Sequence, residues 1–126
     1  MPESELNNLR VLIIAEAANP QWASVPLEGW SHSQAILRRV QGHVLTHPRN
    51  AQAMTEAGWQ EGREFWLINS EPVAKPLYRL ASLLRGGTGK GWTTITAFAA
   101  LSYYYFEHVA WRTFRHRLKA GEFDLV

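Results

Sequence analysis

Glu16 closes the run Arg10-Val11-Leu12-Ile13-Ile14-Ala15-Glu16, and His47-Pro48-Arg49-Asn50 closes a second one, Gly42-His43-Val44-Leu45-Thr46-His47. A carboxylate and an imidazole at strand ends can hydrogen-bond a polar ligand. An open parallel sheet receives its ligands beyond the carboxyl ends of its strands. Glu16 reads either as a polar ligand in such a crevice or as a cap facing a helix; Glu28 reads as solvent-exposed. The loop Ala17 to Gly29 is rich in Pro, Asn and Gly and leads into Trp30. A glycine entering a helix lets a ligand approach the backbone and the helix dipole. No G-x-G-x-x-G occurs there, which argues against nicotinamide or flavin binding.

The run Arg85-Gly86-Gly87-Thr88-Gly89-Lys90-Gly91 invites comparison with a phosphate loop and fails it. The Walker pattern needs Gly where Leu84 stands, Ser or Thr where Gly91 stands, and a preceding strand, whereas a helix is expected before this loop. What remains is a hinge between helices, or a lid in which Gly87, Gly89 and Lys90 close over an acceptor. The five histidines show no metal-ligand spacing beyond His43 and His47, whose even spacing on one strand lets them face together. Two imidazoles alone do not make a metal site, so no metal and no cofactor is expected, and His47 reads better as a crevice hydrogen-bonding residue. No Ser, His and acid grouping can be assembled. Cysteine is absent, which removes thiol nucleophiles, disulfides and thiolate metal sites and fits a reducing cytoplasm.

The elements that must position these residues follow from periodicity and breakers. Arg10 to Glu16 predicts a buried strand, Trp30 to Arg39 a helix capped by Ser31 or Ser33, and Gly42 to His47 a second strand. Ala51 to Ala57 predicts a helix ended by Gly58, and Phe65 to Asn69 a third strand. Pro76 to Arg85, with Leu77, Leu80, Ala81 and Leu84 at helical spacing, predicts another helix. Trp92 to Lys119 predicts the longest helix, with one apolar stripe through Phe98, Ser102, Tyr105, Phe106 and Val109 and a second through Leu101, Tyr104, His108 and Trp111. Two stripes imply burial on two sides. Alternating strands and helices predict a doubly wound parallel sheet. The expectation is one domain over residues 1–126, a three-layer α/β/α Rossmann-like unit that breaks off inside a fourth strand at Glu122-Phe123-Asp124-Leu125-Val126.

Composition is that of an ordinary folded domain: 46% hydrophobic, 19% charged, with a net charge of +2. The charges are uneven. Between Pro76 and Lys119 stand Arg79, Arg85, Lys90, Arg112, Arg115, Arg117 and Lys119, against Glu107 alone. Such a surface attracts anions, although cations at a helix C-terminus also favour the macrodipole. The block Tyr103 to Phe106 with Trp111, Arg112, Phe114, Arg115 and Arg117 interleaves aromatics and cations. Core packing with a solvated basic edge is the expected arrangement, with membrane docking ahead of nucleic acid as the functional one. The polar, acidic start shows no secretory signal. The longest apolar segment, Ile95 to Phe106, is too short to span a bilayer.

The strand Val11 to Glu16, the loop to Gly29 leading into Ser33-Gln34-Ala35-Ile36-Leu37, the strand His43 to His47 and the closing Glu122 to Val126 together resemble the amino-terminal domain of group 1 (family 4) glycosyltransferases. The resemblance spans nearly the whole chain, and Gly86 to Tyr105, with Lys90-Gly91-Trp92-Thr93-Thr94, looks like a feature of a bacterial subgroup. It implies half of a GT-B fold, two facing Rossmann-like domains in which the carboxyl-terminal one holds most of the nucleotide sugar and the amino-terminal one the acceptor, with retention of anomeric configuration. By that resemblance Gly29 borders the donor phosphates, and Glu16, Trp30, His47, Arg49 and Asn50 are acceptor-side residues. The family often has a paired glycine in the first loop, where this chain has Glu28-Gly29. The family's paired glutamates, its basic pair and the stretch after strand four are not in this chain.

The expectation is therefore a cytoplasmic glycosyltransferase fragment, inactive alone, whose partners are a nucleotide-sugar donor, an acceptor and a missing second domain, with peripheral contact at the inner membrane face. The rival is a non-catalytic binding module that docks on anionic lipid or a partner protein through its basic helical half. A flavodoxin-like regulator would want more acids at the strand tips than Glu16.

Overall fold

The computed structural model describes residues 2–69 and 91–126, with side chains over 2–69 and 100–126. The helix expected over Pro76 to Arg85 and the lid residues Gly87, Gly89 and Lys90 lie outside the described residues. After a single turn, α1 (Glu3–Leu6), come β1 (Arg10–Ile14), α2 (Val25–Leu37), β2 (Gln41–Thr46), a 3-10 turn (Pro48–Asn50), α3 (Ala51–Glu56), β3 (Phe65–Leu67) and α4 (Gly91–Lys119). The fold is mixed α/β, with a small open parallel sheet in the order β1-β2-β3.

Leu125 forms a parallel bridge with Val11, on the side of β1 away from β2. The Leu12 amide donates to the Leu125 carbonyl at 3.0 Å, and the Asp124 amide to the Arg10 carbonyl at 2.7 Å. From β1 the chain therefore moves one way to β2 and β3, then crosses back to the other side. Side chains hold this closing segment at the amino end of β1. Arg10 forks onto the Asp124 carboxylate at 2.9 and 3.2 Å, and Arg117 donates to Glu122 at 2.5 Å. The Arg117 guanidinium also lies over the rings of Trp66, Phe114 and Phe123 at 5.2–5.8 Å, a favourable cation–π arrangement.

Strand alternation sends side chains to opposite faces, and helices cover both. Leu12, Leu45 and Ile68 pack with Phe106, Ala110 and Phe114 of α4. On the other face Val44 and Phe65 pack with Trp30 of α2 and Met54 of α3. Gly42 to His47 and Phe65 to Asn69 were expected as strands, and the ladders run over Gln41–Thr46 and Phe65–Leu67. The Ile68 amide still donates to the Thr46 carbonyl at 2.8 Å.

Three expectations are corrected. The helix expected from Trp30 starts at Val25, with Pro26 in its first turn, where the missing proline N–H breaks no helical bond. Ser31 and Ser33 are thus interior rather than capping residues. His47 does not share β2 with His43; it caps the 3-10 turn, its ring accepting the Arg49 amide at 3.1 Å. The second apolar stripe of α4 is not buried: Leu101, Tyr104, His108 and Trp111 are all exposed, because the sheet contacts only the opposite side of the helix. Among the described residues, no helix is long and apolar enough to cross a membrane.

Candidate functional site: the strand tips

Two loops leave the carboxyl ends of β1 and β2, and buried amides tie them together. The Asn50 side-chain amide donates to the Glu16 carbonyl at 2.8 Å and to the Thr46 hydroxyl at 2.9 Å. Thr46 donates in turn to the Glu16 carbonyl at 3.3 Å. The Asn50 side-chain carbonyl accepts from Asn19 at 3.2 Å, and Asn19 accepts the Gln21 amide at 2.9 Å. Asn19, Thr46 and Asn50 are all buried. Burying amides and a hydroxyl is tolerable only when their polar atoms are paired, and this network pairs them while fixing one loop against the other. The Asn19 amide then reaches the Pro26 carbonyl at 2.8 Å, tying in the first turn of α2.

On this support Glu16 and Arg49 meet at 3.2 Å, with side chains 17% and 40% exposed. A carboxylate accepts from hydroxyls and a guanidinium donates to hydroxyl, carbonyl or phosphate oxygen. The pair therefore offers both hydrogen-bonding roles at a solvent-accessible point. It lies at the carboxyl ends of the strands, beside β1, where the chain's direction of travel across the sheet reverses. In open α/β sheets that reversal point is where the crevice forms.

A third wall comes from α4. Its 29 residues make a helix about 43 Å long, against about 17–20 Å for strands of five or six residues. Its C-terminal end leads through Gly121 to Asp124, beside Arg10 at the start of β1. Its N-terminal half consequently runs past the carboxyl tips. Tyr103 lies on this part of the helix, with Glu107 one turn further on, near the middle. Partial burial, then a hydrogen bond donated to Glu107, then the negative charges of Glu107 and Glu16 raise the Tyr103 hydroxyl above its ordinary 10.0.

Of the six candidate residues that lie among the described ones, Glu16, His47, Arg49 and Asn50 are brought together. His47 is buried and supports the turn from beneath. Trp30 belongs elsewhere: at 6% exposed it is a core residue, its ring 4.4 Å from that of Trp59. Gly29 is not at the helix N-terminus but one turn inside α2, and a Cβ there would lie 2.0 Å from the Ala17 carbonyl oxygen. Its missing side chain lets α2 press on the loop after β1. Sequence reasoning missed Asn19, Thr46, Tyr103 and Glu107. The Asn19-Pro20 step after a strand tip was a usable turn signal; the aromatic block and the lone acid of α4 stood out, but nothing in the local pattern linked Tyr103 and Glu107 to the strand tips.

Among the described residues no group of three or more His, Asp or Glu side chains could hold a metal. No protein-family model, curated protein or solved structure matches this chain.

Proposed function

We propose that this chain is the acceptor-binding half of a Rossmann-like, nucleotide-sugar-dependent glycosyltransferase that retains anomeric configuration. One observation carries the reading: a mostly covered carboxylate and a partly exposed guanidinium, Glu16 and Arg49, held on buried amides at the strand tips where the sheet order reverses. A sugar or polyol acceptor presents hydroxyls that both donate and accept, and this pair answers both. In the transfer, the bond from the anomeric carbon to the donor phosphate breaks and a bond to an acceptor hydroxyl oxygen forms, with the hydroxyl proton passing to a base. Charge on the departing phosphate is offset by cations and helix dipoles, which this reading assigns mainly to a second domain. The part of this chain is to bind and orient the acceptor.

Titration of the isotopically labelled chain with small glycosides, followed by amide chemical shifts, tests this. Shifts clustered at Glu16, Arg49 and Asn50, and lost in Arg49→Met, are expected. A chain whose strand-tip amides ignore sugars and respond instead to a free nucleotide would overturn the assignment to the acceptor side.

A further inference from the structure

The face of α4 opposite the sheet carries two kinds of side chain at helical spacing. Leu101, Tyr104 and Trp111 are 52%, 66% and 48% exposed, with exposed His108 between them. Arg112, Arg115 and Lys119 continue the same face toward the C-terminus and are also exposed. Among the described residues none of these three cations forms an ion pair. Arg117, by contrast, turns inward to Glu122 and three aromatic rings. From residue 100 to 119 the only acid is Glu107, at the flank of the face.

A row of exposed Leu, Tyr and Trp continued by unpaired cations is what an interfacial helix needs. The apolar and aromatic groups enter the headgroup boundary, the aromatic polar tips stay hydrated, and the cations meet anionic lipid. We infer that this face of α4 docks the chain on an anionic lipid bilayer, lying along the surface and not crossing it. The charge decides the occupant: three cations with no acid among them repel a second copy of the same face and complement an anionic surface. The inference is independent of what the strand tips bind.

Flotation of the full chain with vesicles of phosphatidylcholine, alone or mixed with phosphatidylglycerol, tests it. Binding to the mixed vesicles only is expected, with affinity falling about fivefold for each of Arg112 and Arg115 changed to Gln. Leu101→Ser with Trp111→Ser should weaken binding at unchanged charge. All four positions are exposed, and circular dichroism of each variant checks that the fold persists. Absence of binding, or equal binding to neutral vesicles, would overturn the proposal. So would full binding by the Leu101 and Trp111 variant, since contact would then be electrostatic without insertion. A Trp111-dependent self-association with no vesicle binding would assign the face to a second copy instead.

Discussion

The Arg49 guanidinium lies 3.2 Å from the Glu16 carboxylate, joining the tips of β1 and β2 at the most accessible point of the strand-tip site. Glu16 is mostly covered but Arg49 is 40% exposed, so the pair is partly screened by water and contributes about 0.2–1 kcal/mol, toward the upper end. A double-mutant cycle of Glu16→Gln and Arg49→Met, read by urea denaturation, should give coupling within that range. A coupling several times larger would mean that the site is dry and the pair structural.

Asn50, directly beneath, should behave in the opposite way. Its side chain bonds the Glu16 carbonyl, the Thr46 hydroxyl and the Asn19 amide in a fully buried setting. Asn50→Ala leaves these groups short of partners and should cost about 3 kcal/mol in thermal or chemical denaturation. Asn50→Asp keeps the shape but loses both donors and buries a charge, so it should be no more stable than the alanine variant. An aspartate variant near wild type would contradict the network.

Gly29→Ala discriminates between helix propensity and packing. Propensity alone predicts stabilisation by roughly 1 kcal/mol, since alanine is the better helix former. A Cβ at this position meets the Ala17 carbonyl oxygen at 2.0 Å, and the backbone must shift to admit it. Destabilisation of about 3 kcal/mol is expected, with amide shifts concentrated in the loop after β1.

Acid should loosen the closing segment first. The hydrogen bonds from the Arg10 side chain, then from its backbone amide, hold the Asp124 carboxyl below its usual 3.8. A depressed carboxyl contributes stability that is present above its unfolded value and lost as pH falls through its lower folded value. Amide exchange at Leu12 and Leu125 should therefore accelerate below about pH 3.8, before the β1–β2 ladder opens. Asp124→Asn should remove that pH dependence.

How far the chain could be read without its fold differs from element to element. The β1 run, the stop at Gly58 and the long α4 were legible because each is written in a local pattern: an apolar run, a glycine at φ +100, a sustained helical period. Strand-helix alternation likewise implied the parallel sheet. The start of α2 was misplaced because Pro26 reads as a loop residue when it stands in a first helical turn.

Burial was the property local pattern could not decide. Periodicity places Phe106 and Tyr104 on different stripes of α4, yet it cannot say that one stripe meets Leu12 and Leu45 while the other stays exposed. The family resemblance drew Trp30 and Gly29 to the site; packing against Trp59 makes Trp30 a core residue, while Gly29 packs on the Ala17 carbonyl in the loop after β1. Residue type and chain order were enough to nominate Glu16, and the family resemblance added Arg49 and Asn50. Their convergence across more than thirty residues, and the approach of Tyr103 and Glu107, rest on strand register and helix length, which exist only once the parallel ladder and the overhanging α4 have formed.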